Sequence, residues 1–148
     1  MKQANLDLAN YFPYLINRVG VALVERFTRD GLREKHLSIG TWRLLAATAN
    51  HDGVRQVDLA RLTSIEVSTV SRLVTELVRL GLVARLPSTK SNREVIVRVT
   101  PKGRALFVEL VPIAMTLQKT ATRGLTKKEL TIAKHVLSHM HDNLWADM

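Results

Sequence analysis

The sequence contains no cysteine. That excludes a disulfide framework, a thiol-based redox sensor and a zinc–thiolate site. No apolar run approaches the roughly 18 to 20 residues needed to span a bilayer, and the N-terminal MKQANLDLANYFPY lacks the basic-then-apolar order of a secretion signal. A cytoplasmic setting with no membrane partner is the expectation. The chain has neither an internal repeat nor a low-complexity tract. Missing too are the phosphate-cradling patterns G-x-x-x-x-G-K-[ST] and G-x-G-x-x-G, and the metal-binding H-E-x-x-H. No nucleophile and base stand visibly paired, so neither an enzyme nor a cofactor is expected.

Acid is in short supply. Lys and Arg number 22 against 13 Asp and Glu, a formal net charge of +9, which favours a polyanionic partner such as nucleic acid or a membrane surface. Counted in thirds the excess is even, but residues 79–93 carry Arg79, Arg85, Lys90 and Arg93 with no acid among them. The positive patch has an address.

What is present suits a folded chain. With 46% hydrophobic residues in 148, a single domain spanning residues 1–148 can bury a core. Apolar residues at helical spacing predict a long amphipathic helix over 6–30, ended by Gly31. Ser38 caps a second helix over 39–50, with Leu37 and Trp42 placed as a hydrophobic staple. A turn at the HDG of 51–53 leads to a short third helix carrying Leu59, Ala60 and Leu62, for which Arg55 is a poor cap.

The fourth helix, 67–80, has two faces. Val70, Leu73, Val74, Leu77 and Val78 form a stripe for burial, while Ser68, Arg72, Thr75 and Arg79 line another face. Glu66 suits its positive end and Gly81 a left-handed cap. The β-branched runs 82–86 and 94–99, joined by PSTKSNR, predict a hairpin with a basic tip. Thr100 and Pro101 start a helix in which Pro112 either kinks the chain or divides two helices. Thr126 and Glu129 form a capping box for the last helix, whose Leu130, Ala133, Leu137, Met140 and Leu144 make a seam that wants a partner. The fold class is mainly α with a small β-hairpin, in the winged helix-turn-helix order.

A helix about 10 to 12 Å across fits the major groove, where small hydroxyls permit close approach and an arginine reaches base edges or phosphates. Ser68, Thr69, Ser71 and Arg72 supply that combination. A solvated outer face is the alternative for such residues, and the adjoining basic hairpin favours the groove.

Residues 37–106 resemble the core of the multiple-antibiotic-resistance-regulator (MarR) family of bacterial transcription factors. The likeness rests on Trp42, Leu59-Ala60, the T-V-S-R of 69–72, Gly81-Leu82 with Arg85, and Arg93 followed by VTPKG. The resemblance implies a winged lobe over 37–100 and dimerisation helices at 6–31 and 101–147. It implies that the 67–80 helix enters the major groove of a pseudo-palindromic operator and that Arg93 enters the minor groove, with Lys90 and Asn92 beside it. Gln56 joins the same DNA-facing set. Two departures stand out. Ser91 replaces an aspartate that braces the wing arginine in many relatives, and Arg55 replaces the usual Thr or Ser cap, which frees it to contact phosphate instead.

The resemblance further implies a homodimeric repressor released by a small aromatic or phenolic effector. Arg18, His36 and Trp42 are the candidate effector residues, each with a plain reading as solvated charge, loop residue and core. His135 and His139, four apart on one helix, are spaced to share a metal. They lie off the apolar seam, so surface or subunit-contact histidines are expected and no metal is assigned. The other reading of the chain is a winged-helix interaction module that binds a protein or RNA partner without recognising an operator.

Overall fold

The computed structural model describes residues 4–146, so Asp147, the last residue of the expected C-terminal helix, lies outside them. Its elements are α1 (Phe12–Phe27), α2 (Ile39–Ala49), β1 (Val54–Arg55), α3 (Gln56–Thr63), α4 (Val67–Arg79), β2 (Val83–Pro87), β3 (Val95–Val99), α5 (Pro101–Ala121) and α6 (Lys127–Ala146). The strands form one antiparallel sheet in the order β1-β3-β2. The winged helix-turn-helix order is therefore present.

Several boundaries differ from the periodicity reading. The first helix begins at Phe12 rather than residue 6, because Asp7 accepts the Ala9 N–H and closes a separate single turn, Leu8–Asn10, and Pro13 then sits where a new helix starts. Nor does Gly31 end it. The chain continues through a wider π-type turn, Thr28–Leu32, and a short 3-10 turn, and leaves the helical path at His36, whose φ is 56°. Gly31 serves packing: a Cβ there would lie 3.3 Å from side-chain carbons of Leu110 and Ile113 on α5.

β1 was not expected. Its two residues pair Val54 with Val97 and Arg55 with Ile96, and Val54 is buried while Arg55 is exposed. Pro112 lies within one continuous α5. It removes the N–H that Val108 would have bonded, and exposure of Val108 leaves that carbonyl near water.

Leu44 and Leu45 of α2, Leu59 of α3, Val70, Val74 and Leu77 of α4, Val97 of β3 and Leu110 of α5 are all fully buried. Among the third- and fourth-helix residues expected to pack, Leu62 and Val78 are exposed. Inside this core Thr41 and Thr48 donate their hydroxyls to the carbonyls of Ser38 and Leu44, so neither is an orphan. Ser38 caps α2 as expected, accepting the Thr41 N–H at 3.1 Å while the Thr41 hydroxyl accepts the Ser38 N–H at 2.9 Å.

The terminal helices contrast with the lobe. No residue of α6 is buried, and Leu137 and Leu144 are 50% and 68% exposed. Phe12 and Val19 of α1 are also exposed.

Candidate nucleic-acid interface

Helix α4 is held at both ends. At its start the Glu66 carboxylate accepts the Ser68 N–H at 3.3 Å, the Ser68 hydroxyl, and the Thr69 hydroxyl at 3.3 Å. The bond from the Ser68 hydroxyl, followed by the backbone N–H of Ser68, holds the Glu66 carboxyl below the usual range. Two of the four α4 hydroxyls expected to face DNA, those of Ser68 and Thr69, are thus pre-oriented by a carboxylate and keep their lone pairs as acceptors.

At its end Gly81, with φ 73°, makes the left-handed cap foreseen for it. The Leu82 N–H reaches the Leu77 carbonyl at 2.9 Å and the Gly81 N–H reaches Val78 at 2.9 Å, the paired bonds of a Schellman motif. The VTPKG segment completes this end. Thr100 donates to the Gly81 carbonyl at 2.6 Å, Lys102 donates to the Leu80 carbonyl at 2.8 Å, and the Gly103 N–H donates to the Thr100 hydroxyl at 3.0 Å. A Cβ on Gly103 would lie 1.9 Å from the Leu82 carbonyl oxygen, so the backbones of α5 and the helix end touch. Gly103 has no substitute there.

Between these ends, Ser68, Ser71, Arg72 and Thr75 are exposed and Thr69 is half-buried. Thr75 donates its hydroxyl to the Ser71 carbonyl at 3.0 Å. Arg72 makes no ion pair with any described residue. Its charge is available.

The wing tip is built from serines. Ser88 accepts the Lys90 N–H at 3.1 Å, Ser91 accepts the Arg93 N–H at 3.3 Å, and the Glu94 N–H reaches the Ser91 carbonyl at 3.3 Å. Ser91 therefore fixes the backbone of the turn and leaves the Arg93 guanidinium without a carboxylate. Lys90, Asn92 and Arg93 are exposed, and neither cation has an ionic partner among the described residues.

Arg55 departs from expectation. Rather than standing free for phosphate, it grips Asp58 with two bonds of 2.7 and 3.0 Å and reaches Glu94 at 3.0 Å. Asp58, by its hydrogen bonds, and then Glu94 raise the already high pKa of Arg55 further, and Arg55 in turn lowers that of Asp58. The residue ties the start of α3 to the base of the wing. Arg85, noticed in the sequence only as part of a basic stretch and of the resemblance, is a second tie: it donates to the Gln56 side chain at 3.0 Å and to the Ser71 carbonyl at 2.8 Å. Neither tie had a local signal, because the partners stand 39, 29 and 14 residues apart.

The three effector candidates do not meet. Arg18 is exposed on α1, His36 is an exposed left-handed cap, and Trp42 packs edge-on against Phe27 at 5.2 Å and stacks on Phe107 at 5.7 Å. Trp42 is a core residue. A crevice of about 240 Å³ lies instead between α1 and α5, lined by Arg26, Asp30, Pro112, Ile113, Thr116, Leu117 and Thr120. Asp30 accepts from Arg26 at 2.6 Å and from Arg29 at 2.9 Å, which lowers its pKa.

His135 and His139 stack with ring centres 6.1 Å apart, and the described residues contain no group of three or more His, Cys, Asp or Glu able to hold a metal. Among those residues no helix is long and apolar enough to cross a membrane.

Comparison with known proteins agrees with this geometry. Residues 37–94, most of the winged lobe, match the family model described as MarR family. The transcriptional repressor NicR of Pseudomonas putida is 27% identical over 99 residues, an alignment covering 67% of this chain and 63% of NicR's own length. A MarR-family transcriptional regulator from Silicibacter pomeroyi has a TM-score of 0.81 at 29% identity, covering 97% of this chain and 96% of that one. BpsR of Bordetella bronchiseptica, whose DNA binding is regulated by 6-hydroxynicotinic acid, has a TM-score of 0.85 at 25% identity, covering 94% and 99%. Residues 37–94 thus match the MarR family model, and nearly the whole length of the chain is similar to the MarR-family regulator of known structure from Silicibacter pomeroyi.

Proposed function

We propose that this protein is a homodimeric, sequence-specific DNA-binding repressor that a small aromatic or phenolic effector releases from its operator. The observation that carries the reading is the free face of α4. Ser68, Ser71, Arg72 and Thr75 lie exposed on a helix whose other face, Val70, Val74 and Leu77, is fully buried. A polar face with an unpaired arginine, beside a wing with two unpaired cations, matches what the major groove and its flanking phosphates require.

The roles divide by position. Arg72 reads a base edge, with Ser68, Thr69, Ser71 and Thr75 lining the approach, and Gln56 contacts the duplex at the start of α3. Arg93 enters the minor groove with Lys90 and Asn92 alongside. Arg55 serves as a brace for the wing. Dimer formation through α1 and α6 is supported by their exposed apolar faces, which a second copy would cover. The α1–α5 crevice is the candidate effector site, and the effector class draws support from the regulation of BpsR by 6-hydroxynicotinic acid.

Selection of bound duplexes from a random pool tests the reading. Enrichment of a pseudo-palindrome whose half-sites lie about one helical turn apart is expected, together with its release by a small aromatic acid. A pool that stays random would leave a protein- or RNA-binding module as the better account.

A further inference from the structure

We propose that Arg85 is a positioning residue for DNA reading, setting the hydrogen-bonding polarity of Gln56 and tying the wing to the recognition helix. The inference rests on the DNA-facing assignment of α3, α4 and the wing above.

Arg85 is half-buried on β2, opposite Val97 in the ladder. Its Nε donates to Gln56 Oε1 at 3.0 Å and its Nη2 to the Ser71 carbonyl at 2.8 Å. One planar group thus joins a wing strand to α3 and α4. A guanidinium has donors only, so the Gln56 atom facing it must be the oxygen. With that acceptor engaged, the amide nitrogen is what Gln56 has left to offer a ligand. It makes no hydrogen bond to another described side chain or backbone group. Gln56 is therefore a donor toward DNA, suited to a phosphate oxygen or to the acceptor edges of guanine, adenine N7 and thymine, and unsuited to the cytosine amino group.

The second bond fixes distance. Ser71 lies on the exposed face of α4, and its carbonyl also receives the Thr75 hydroxyl at 3.0 Å. Holding two acceptors at a set angle needs a rigid fork, which lysine does not supply. Arg85 acts through Gln56 and Ser71, not by its charge.

The test measures full-length Arg85→Lys and Arg85→Met on a selected operator and on a random duplex across salt, with thermal unfolding of each variant. Operator affinity is expected to fall about tenfold or more while random-duplex affinity stays within about threefold for the lysine variant, whose charge is intact. In a Gln56→Ala background the same Arg85→Lys change should cost less, because part of its action is already gone. Parallel weakening on both duplexes, with a lower salt slope in Arg85→Met, would make Arg85 a phosphate contact and overturn the proposal. Unchanged operator affinity, or loss of the folded state in both variants, would overturn it too. A wild-type protein with no preference between the duplexes would instead defeat the DNA-reading proposal itself, and this one with it.

Discussion

The winged lobe and the terminal helices solve the same problem in opposite ways. The lobe closes mainly on itself: leucines and valines from three of its helices and a strand reach full burial, joined by Leu110 of α5, and the ends of α4 are satisfied by Glu66, Thr100 and Lys102. α6 buries nothing, and α1 buries only Phe27, although both carry apolar stripes at helical spacing. The lobe is specified by its own sequence. The terminal helices leave their apolar stripes uncovered within one chain, and the proposed dimer would cover them.

The largest blow to this contrast is expected at the joint between the regions. Gly103→Ala places a methyl group 1.9 Å from the Leu82 carbonyl oxygen, a backbone atom that cannot rotate away. The expected loss in urea unfolding is about 3 kcal/mol or more, beyond ordinary overpacking because backbone must shift. A loss under about 0.5 kcal/mol, the size of a tolerated surface change, would show that the contact is not required.

Leu137→Asp probes the other region. It lies half-exposed on α6, so the lobe should keep its fold while sedimentation moves from dimer to monomer and operator binding falls away. A stable dimer in this variant would remove the α6 seam from the assembly.

Arg72→Ala sharpens the comparison inside the lobe. It touches no buried contact, so stability should hold while operator affinity drops by about 1 to 3 kcal/mol and preference relaxes at one position per half-site. Uniform weakening on all sequences would turn Arg72 into a phosphate contact.

The smallest effect is a pH dependence at the α4 cap. Because hydrogen bonds from Ser68 and Thr69 depress the Glu66 pKa below its ordinary 4.5, its contribution is present above that value and is lost as pH falls through the folded one. Glu66→Ala should therefore be destabilised relative to wild type at neutral pH, with the gap closing stepwise into acid. A gap that did not change would exclude the carboxylate as its source.

Much of the fold was legible because its signals are local. Ser38, Gly81, Thr100 and the Thr126–Glu129 box act within a few residues of where they stand, and all cap as the sequence indicates. The exposed face of Ser68, Arg72, Thr75 and Arg79 followed from a helical period against a buried stripe. What stayed hidden was non-local. β1 has only two residues and exists through its pairing with β3, and the ties of Arg55 to Glu94 and Arg85 to Ser71 depend on the closed fold. Gly31 misled for the same reason: a glycine reads as a stop, but here its missing side chain admits Leu110 and Ile113 from α5. The effector candidates were placed by resemblance alone, and Trp42 turned out to be held by Phe27 and Phe107.

The central claim is that the unpaired cations of α4 and the wing face DNA together, and the most direct measurement is a salt titration of wild type and Arg93→Ala on one selected operator and one random duplex. Arg93 has an exposed guanidinium with no carboxylate partner among the described residues, while Ser91 holds only its backbone. The account predicts that Arg93→Ala weakens both duplexes and lowers the slope of log affinity against log salt by about one unit for each half-site. Affinity and slope both unchanged would mean that the hairpin does not touch DNA, and would contradict the account.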